Sequence, residues 1–302
     1  MGPGLDAFRS LMDEVLVVEP SGDDKFLSRA SPGVFDRLYG GHTVAQALLA
    51  GAATVPLDRA VHSLHAYYLR MGTPDLPVEY VTRRLRDSRA YSARSVSAFQ
   101  AGRQIAEVTM SFHTGRPSFS RQDPMPRVPD PEALVTRAKA LAEAMGESTP
   151  KNARAPWPID VRYIDHAPWE TGKHPAANRM WLRVAGTLPA EPLLHAAALA
   201  YASDLSMFEV IVQPHELAWA DLIDGRGAFG ASLDHSVWFH QAVRADEWLL
   251  HVQESPSSGD GRGLATGRYF SRDGRLVATV AQEITITVSD PSVDEAEGDE
   301  AR

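Results

Sequence analysis

Three polar residues sit among apolar neighbours in a way that could support acid–base chemistry. Asp204 lies in the run 192–208, which is otherwise rich in Leu, Ala, Tyr, Met and Phe. A carboxylate on a mostly buried helix loses hydration, so it needs hydrogen-bond partners or a role in proton transfer. Gln282 lies in a segment of period two, where Leu276, Ala278, Val280, Gln282, Ile284 and Ile286 share the more apolar face. A buried amide donates and accepts, so it can hold a water with one end and a neighbour with the other. Ser232 lies at the start of a strand predicted over 231–240 and adds a hydroxyl. Each has a plainer reading in isolation: an aspartate at a helix end facing solvent or capping a turn, a glutamine satisfying a backbone group, an ordinary strand serine.

The elements that would carry these residues come in two similar sets. In the first, residues 40–50 are small or apolar almost all round and stop before Pro56, which predicts a helix wrapped on most sides. Period-two segments follow at 61–70, 78–86, 91–99 and 104–112. In the second set, strands at 161–164 and 181–184 precede a mostly apolar helix over 192–208. Strands at 231–240, 248–254, 263–270 and 276–288 come after it. Between the sets, 114–157 holds Pro117, Pro124, Pro126, Pro129, Pro131, Pro150 and Pro156, too dense for a central strand or helix interior. One amphipathic helical stretch, 131–145, interrupts it.

Gly102-Arg103 and Gly274-Arg275 precede the last strand of each set, 172 positions apart, and Arg103-Gln104-Ile105-Ala106 then overlies Arg275-Leu276-Val277-Ala278. With the shared order of helix then four strands, this predicts a duplication. The fold class expected is α+β, a double hot-dog in which each of two tandem repeats wraps a curved antiparallel sheet around a long helix. The division expected is a first hot-dog domain over 1–114, a crossover linker with a helix over 115–157, a second hot-dog domain over 158–289 carrying the catalytic residues, and an acidic disordered tail over 290–302. In such a repeat the strand after the helix and the last strand both lie against that helix, so Asp204, Ser232 and Gln282 can converge. At the same offset Gln282 falls on Met110, and 39–57 contains no carboxylate. One site per chain, in the second repeat, is therefore expected.

Composition narrows the function classes. The chain of 302 residues is long enough for two ordinary domains and has no cysteine, which excludes disulfides, thiol nucleophiles, thiolate zinc sites and iron–sulfur clusters. The formal charge is −9, of which −5 falls in the tail: Asp290, Asp294, Glu295, Glu297, Asp299 and Glu300 against Arg302. The nearly balanced body argues against a nucleic-acid partner and permits a local basic patch for a small anion. No apolar run approaches the roughly 18 residues of a membrane span, and the first residues lack the regions of a signal peptide, so a cytoplasmic location is expected. The nucleophile elbow G-x-S-x-G, the zinc motif H-E-x-x-H, the phosphate loop and the dinucleotide glycine pattern are absent. His62 and His65, and His235 and His240, would point to opposite faces of straight strands, so both pairs are read as structural histidines rather than metal ligands. No metal or redox cofactor is expected.

Four segments are similar to the acyl-CoA thioesterase II family: Leu38-Tyr39-Gly40-Gly41-His42-Thr43-Val44-Ala45-Gln46-Ala47-Leu48, Val61-His62-Ser63-Leu64-His65-Ala66-Tyr67-Tyr68-Leu69-Arg70, Tyr201-Ala202-Ser203-Asp204-Leu205, and Leu233-Asp234-His235-Ser236-Val237-Trp238-Phe239-His240. They occur in family order, and the resemblance runs from about Leu11 to Ile286. It implies a double hot-dog subunit, in a homo-oligomer, that hydrolyses fatty acyl-CoA to free fatty acid and CoA by direct water attack. The family's water-positioning aspartate, threonine or serine, and glutamine fall on Asp204, Ser232 and Gln282. Ser232 stands where threonine is frequent, which keeps the hydroxyl and loses the methyl that stiffens the rotamer. His42 follows the glycine pair where glutamine is usual, at a helix start whose backbone N–H groups can hold an anion. The C-terminal Glu300-Ala301-Arg302 differs from a peroxisomal signal.

The phosphates of CoA call for arginines, and Arg83, Arg84, Arg86, Arg89 and Arg94 are candidates, against the plainer reading of a solvated strand face. Two rival functions carry different expectations. A catalytically degenerate acyl-CoA-binding protein would bind without turnover, and a hot-dog enoyl-CoA hydratase would need a paired aspartate and histidine. Asp234 and His235 are adjacent on a strand, so their side chains diverge.

Overall fold

The computed structural model describes residues 3–30, 37–146, 157–170, 172–215 and 228–288. The tail expected over 290–302 lies outside the described residues. A helix α1 (Pro3–Ser10), a π-helical turn (Leu11–Val15) and a hairpin of β1 (Glu19–Gly22) and β2 (Lys25–Leu27) precede the first long helix. That helix, α2 (Gly40–Ala52), is buried on every side from Gly41 to Gly51, as a sequence without a polar face requires. Strands β3 (Ala60–Tyr68), β4 (Glu79–Asp87), β5 (Tyr91–Gln100) and β6 (Arg103–His113) follow.

Beyond β6 the crossover runs along the second half of the sheet. Trp181 Nε1–H donates to the Pro129 carbonyl at 2.9 Å, and the Gln122 amide donates to the Gly274 carbonyl at 2.7 Å. Met125, Val128 and Leu134 pack on a small separate core of Trp181, Trp248, Leu250 and Phe270. The helix expected over 131–145 is instead a single 3-10 turn at Pro131–Ala133 and then α3 (Arg137–Met145). Thr136 separates them, because its hydroxyl accepts from the Lys139 N–H at 3.2 Å and caps α3.

The second set comprises β7 (Ile159–Tyr163), β8 (Ala177–Val184), α4 (Pro192–Ser203), α5 (Met207–Val212), β9 (Ala228–Ser232), β10 (Asp234–Phe239), β11 (Leu249–Gly259), β12 (Arg262–Ser271) and β13 (Leu276–Val288). All strands described join one antiparallel sheet in the order β1-β2-β4-β5-β6-β3-β10-β13-β12-β11-β8-β7, with β9 also paired to β13. From the centre outwards the two halves match: β3-β6-β5-β4-β2-β1 mirrors β10-β13-β12-β11-β8-β7. This is the double hot-dog that the repeat predicts, although the two long helices do not keep the offset of the strands. The halves join where β3 pairs with β10, Leu64 opposite Val237 and Ala66 opposite His235. The two long helices pack on each other beneath the sheet.

Two elements break where the sequence pattern runs on, and both breaks shape the site. The helix expected over 192–208 ends at Ser203; Asp204 caps it, and α5 begins at Met207. Ser203, Asp204 and Ser206 compete for backbone hydrogen bonds and favour helix ends over interiors. The strand expected over 231–240 is likewise two strands. β9 pairs with β13 at Ser232–Ile284, whereas β10 pairs with it at Ser236–Ala281, so one extra residue is accommodated around Leu233. The Asp234 carboxylate accepts the Glu283 N–H at 2.8 Å inside this bulge.

A second bulge, between Val61 and Ser63, corrects the placement of a histidine pair. It brings His62 to the outer face, where it bonds Ser111 at 2.8 Å, while His65 on that face bonds Ser236 at 3.0 Å. Strict alternation would have separated them. His235 is buried and His240 exposed, as expected for opposite faces.

Arg94 is wholly buried at 0% exposure and donates to Thr54 Oγ1 at 2.7 Å, the Thr54 carbonyl at 2.9 Å, the Ala93 carbonyl at 2.9 Å and Asp87 at 3.0 Å. It holds the end of α2 to β5 and is a structural cation. Arg94→Met is expected to cost about 3 kcal/mol, because buried carbonyls lose their donors. Urea unfolding would read that loss.

Candidate active site

Asp204, Ser232 and Gln282 meet at the end of α4. The Gln282 Nε2 group donates to Asp204 Oδ1 at 2.6 Å and to Ser232 Oγ at 2.6 Å. Ser232 Oγ lies 3.5 Å from Asp204 Oδ1, at the limit of a hydrogen bond, so its own proton is available to another acceptor. Asp204 Oδ2 accepts the Gly41 N–H at 2.9 Å. Oδ2 thus keeps a further lone pair, while Oδ1 takes the amide with the Ser232 hydroxyl at the edge of reach.

Local backbone irregularities aim these groups. On an unbroken strand Ser232 would share a face with Asp234, Ser236 and the exposed Trp238. The bulge at Leu233 reverses that, so Ser232 stands opposite Ile284 on the inner face. The helix break at Ser203 places the Asp204 carboxylate on a turn rather than inside a packed helix. At the position equivalent to Gln282, Met110 packs on Gly51 of α2, so the first half fills the same place with thioether.

The trio comes from the second half, but the cavity beside it is built by both. It measures about 420 Å³ and is walled by Leu38, Tyr39, Gly40, Thr43, Tyr68 and Ile105 from the first half and Asp204, Leu205, Phe208, Ser232, Gln282 and Ile284 from the second. The three residues expected in the second repeat thus face a cavity that the first repeat helps to wall. Gly40 and Gly41 permit the approach. A Cβ on Gly40 would lie 2.8 Å from Asp204 Oδ2 and 2.9 Å from the Tyr68 hydroxyl, and one on Gly41 would strike the Tyr201 carbonyl. The Tyr39 hydroxyl donates to that same carbonyl at 2.9 Å. The Tyr68 hydroxyl is buried without a hydrogen-bond partner. Burial and the nearby Asp204 charge both push its pKa upward, so it stays a donor.

His42 does not reach this cavity. It is buried in the α2 core, and desolvation lowers its pKa to about 4 despite a hydrogen bond with Gln46. Gly40 and Thr43 therefore represent the helix start at the wall. None of Arg83, Arg84, Arg86, Arg89 and Arg94 lines the cavity; Arg84 is paired with Asp24 at 2.8 Å. Among the described residues the arginines that do are Arg37 and Arg70. Arg37 donates to the Gly230 carbonyl at 3.1 Å and lies 4.8 Å over the Phe229 ring. Burial lowers its pKa and Asp204 opposes that shift, so it remains a cation.

Among the described residues one cluster brings metal-ligand atoms together, His166, Glu170 and His174, within 4.8 Å of one another. The two imidazoles are stacked at 3.9 Å with only 27° between planes. Their lone pairs lie in nearly parallel planes and cannot converge on one ion in this arrangement.

One buried residue at the site was read from sequence as structural. His235 Nδ1 lies 2.7 Å from Gln282 Oε1, and its Nε2 lies 2.7 Å from Ser203 Oγ. Its position opposite Gln282 follows from the β10–β13 register, which the bulge sets and the alternation pattern alone does not reveal.

Comparison with known proteins places these features in a family. The family model described as acyl-CoA thioesterase matches residues 150–285, and that described as acyl-CoA thioesterase N-terminal domain matches residues 29–113. The human acyl-coenzyme A thioesterase 8 is 36% identical over 298 residues, covering 95% of this chain and 91% of that protein. The crystal structure of the acyl-CoA thioesterase II TesB2 from Mycobacterium marinum superposes with a TM-score of 0.76 at 34% identity, over 92% of this chain and 99% of that one. A hot-dog-fold protein from Alicyclobacillus acidocaldarius, 20% identical, shares the fold with a TM-score of 0.73, over 92% of this chain and 98% of that one. The chain belongs to the acyl-CoA thioesterase II family.

Proposed function

We propose that the chain hydrolyses fatty acyl-CoA to free fatty acid and CoA, with water held by Asp204, Ser232 and Gln282 attacking the thioester carbonyl directly. The observation that carries this is the mutual hydrogen bonding of the three groups at the wall of a largely apolar cavity. Asp204 takes a proton from the attacking water, and the Ser232 hydroxyl is free to orient that water or the carbonyl. The C–S bond then breaks, and the proton on Asp204 passes to the departing CoA thiolate. Donors for the developing oxyanion are at hand in the first turn of α2, through Gly40, and in the unpartnered Tyr68 hydroxyl. Both Gln282 N–H groups are already engaged, which favours those donors over the amide.

The reading assigns 1–114 and 158–289 to the two hot-dog domains and 115–157 to the linker, and it rests the site on their junction. Among the described residues no helix is long and apolar enough to cross a membrane. A cytoplasmic location suits a substrate that is made and consumed inside cells, and cell fractionation tests it. Self-association into a homo-oligomer is supported by Tyr67, Leu69, Met71 and Trp238, which are large, apolar and exposed. Sedimentation of the purified chain would read its size.

Thiol-reagent detection of CoA release across a panel of acyl lengths tests the activity. Arg37 and Arg70 at the cavity wall are the cations placed to meet the phosphates. Arg37→Ala is expected to raise KM for acyl-CoA about tenfold, the scale of one charge-assisted contact. An acyl-pantetheine substrate without the nucleotide phosphates should show little change. Equal effects on both substrates would remove Arg37 from phosphate recognition.

A further inference from the structure

His235 stands directly behind Gln282 and is wholly buried, at 0% exposure. Proton counting fixes what each contact must be. An ionised carboxylate can only accept, so the Gln282 atom 2.6 Å from Asp204 Oδ1 must carry hydrogen. Its second hydrogen goes to Ser232. Gln282 Oε1 then faces His235, and the partner 2.7 Å away must be an Nδ1–H.

The opposite tautomer reverses this arrangement. With the proton on Nε2 alone, Nδ1 would accept, the amide would turn over, and Oε1 would face the Asp204 carboxylate. Two acceptors would then oppose each other where a hydrogen bond now stands. The Asp204 carboxylate selects between the states through the amide, and Nε2 then accepts the Ser203 hydroxyl proton at 2.7 Å, in competition with the Ala200 carbonyl 3.0 Å from the same hydroxyl. Ser203 closes α4 immediately before Asp204, so one helix end carries both the carboxylate and the hydroxyl that meets Nε2.

The ring is held neutral. Desolvation lowers the pKa of His235 and outweighs the opposing pull of Asp204, the Gln282 hydrogen bond and Asp234. His251, the titratable group facing it from β11, is itself buried, with a pKa lowered to about 3, and so adds no positive charge at neutral pH.

We propose that His235, backed by Ser203, acts as a tautomer lock, a positioning residue whose Nδ1 proton fixes which end of Gln282 faces Asp204 and Ser232. The inference rests on those three residues being the water-holding set, and neither Ser203 nor His235 touches the substrate. A packing role for His235 would require only its volume; the lock requires its Nδ1 proton.

The test compares His235→Phe, which keeps a ring without a donor, with His235→Asn, whose amide N–H can stand near the Nδ1 position. His235→Phe is expected to lower kcat roughly 10- to 100-fold, the scale of a misplaced catalytic group, with KM within about twofold. His235→Asn should recover most of that loss. In a Gln282→Ala background His235→Phe should cause no further loss, because the group it orients is gone. Wild-type kcat in His235→Phe, or an undiminished effect in the Gln282→Ala background, would overturn the lock.

Should His235→Phe not fold, ¹⁵N NMR of histidine-labelled wild-type chain reads the tautomer directly, with His235→Asn for assignment. Protonated Nδ1 with bare Nε2 is expected, and the reverse overturns the proposal. CoA release by the wild type and its loss in Asp204→Asn test the site separately. If those hold while the lock fails, only the lock is lost; if no CoA is released, the tautomer measurement still decides it.

Discussion

Asp204→Asn is expected to lower kcat for acyl-CoA hydrolysis by about 10²- to 10⁴-fold, the range that general-base assistance contributes. The substitution preserves volume and removes the basic oxygen. It also creates a mismatch whichever way the new amide turns, because Gln282 donates to one carboxylate oxygen and the Gly41 N–H to the other. An NH₂ group must face one of those donors. The KM should change little, since the proposed function seats the acyl chain and the nucleotide elsewhere along the cavity. Steady-state CoA release with a thiol reagent measures both parameters, and wild-type turnover in this variant would place the base on another residue.

Gly41→Ala is expected to be nearly as damaging by a different route. The added Cβ meets the Tyr201 carbonyl, which is backbone and cannot rotate away, so α2 and α4 must separate. Overpacking of this kind typically costs 1–3 kcal/mol. The movement also lengthens the Gly41 N–H bond to Asp204 and the Tyr39 bond to Tyr201. A shift of about 1 Å at a reacting group can lower the rate 10²-fold. Thermal unfolding with kinetics on the same protein should show activity lost well below the temperature at which the fold is lost. An active, stable Gly41→Ala enzyme would show that the first half contributes no geometry to the chemistry.

Much of the architecture was legible because its signals are local. The face shared by Val280, Gln282 and Ile284 follows from strand period alone, and the smallness of α2 announces a helix with no exposed side. The repeat of Gly102-Arg103 at Gly274-Arg275 foretold the duplication, though not the mirrored strand order. What period cannot show is where it fails. Nothing in the alternation of 231–240 marks Leu233 as a bulge, yet that one residue moves Ser232 to the inner face and sets His235 against Gln282. The run 192–208 reads as one helix because Leu205, Met207 and Phe208 continue its apolar pattern, while Ser203, Asp204 and Ser206 end it. The contribution of the first half depended on helix packing across 163 residues of chain, from Gly41 to Asp204, which only the fold reveals. Arginine spacing on β4 and β5 was uninformative about phosphate because it did not distinguish the buried Arg94 from a solvated face.

A crystal structure of the chain with a non-hydrolysable thioether analogue of acyl-CoA would test the junctional site most directly. The expected density places the atom that replaces the thioester carbon within reach of a water on Asp204 and Ser232, the acyl chain against Leu205, Phe208 and Ile284, and the nucleotide toward Arg37 and Arg70. An analogue seated away from Asp204, with Gln282 facing no part of it, would contradict the assignment of this cavity to hydrolysis.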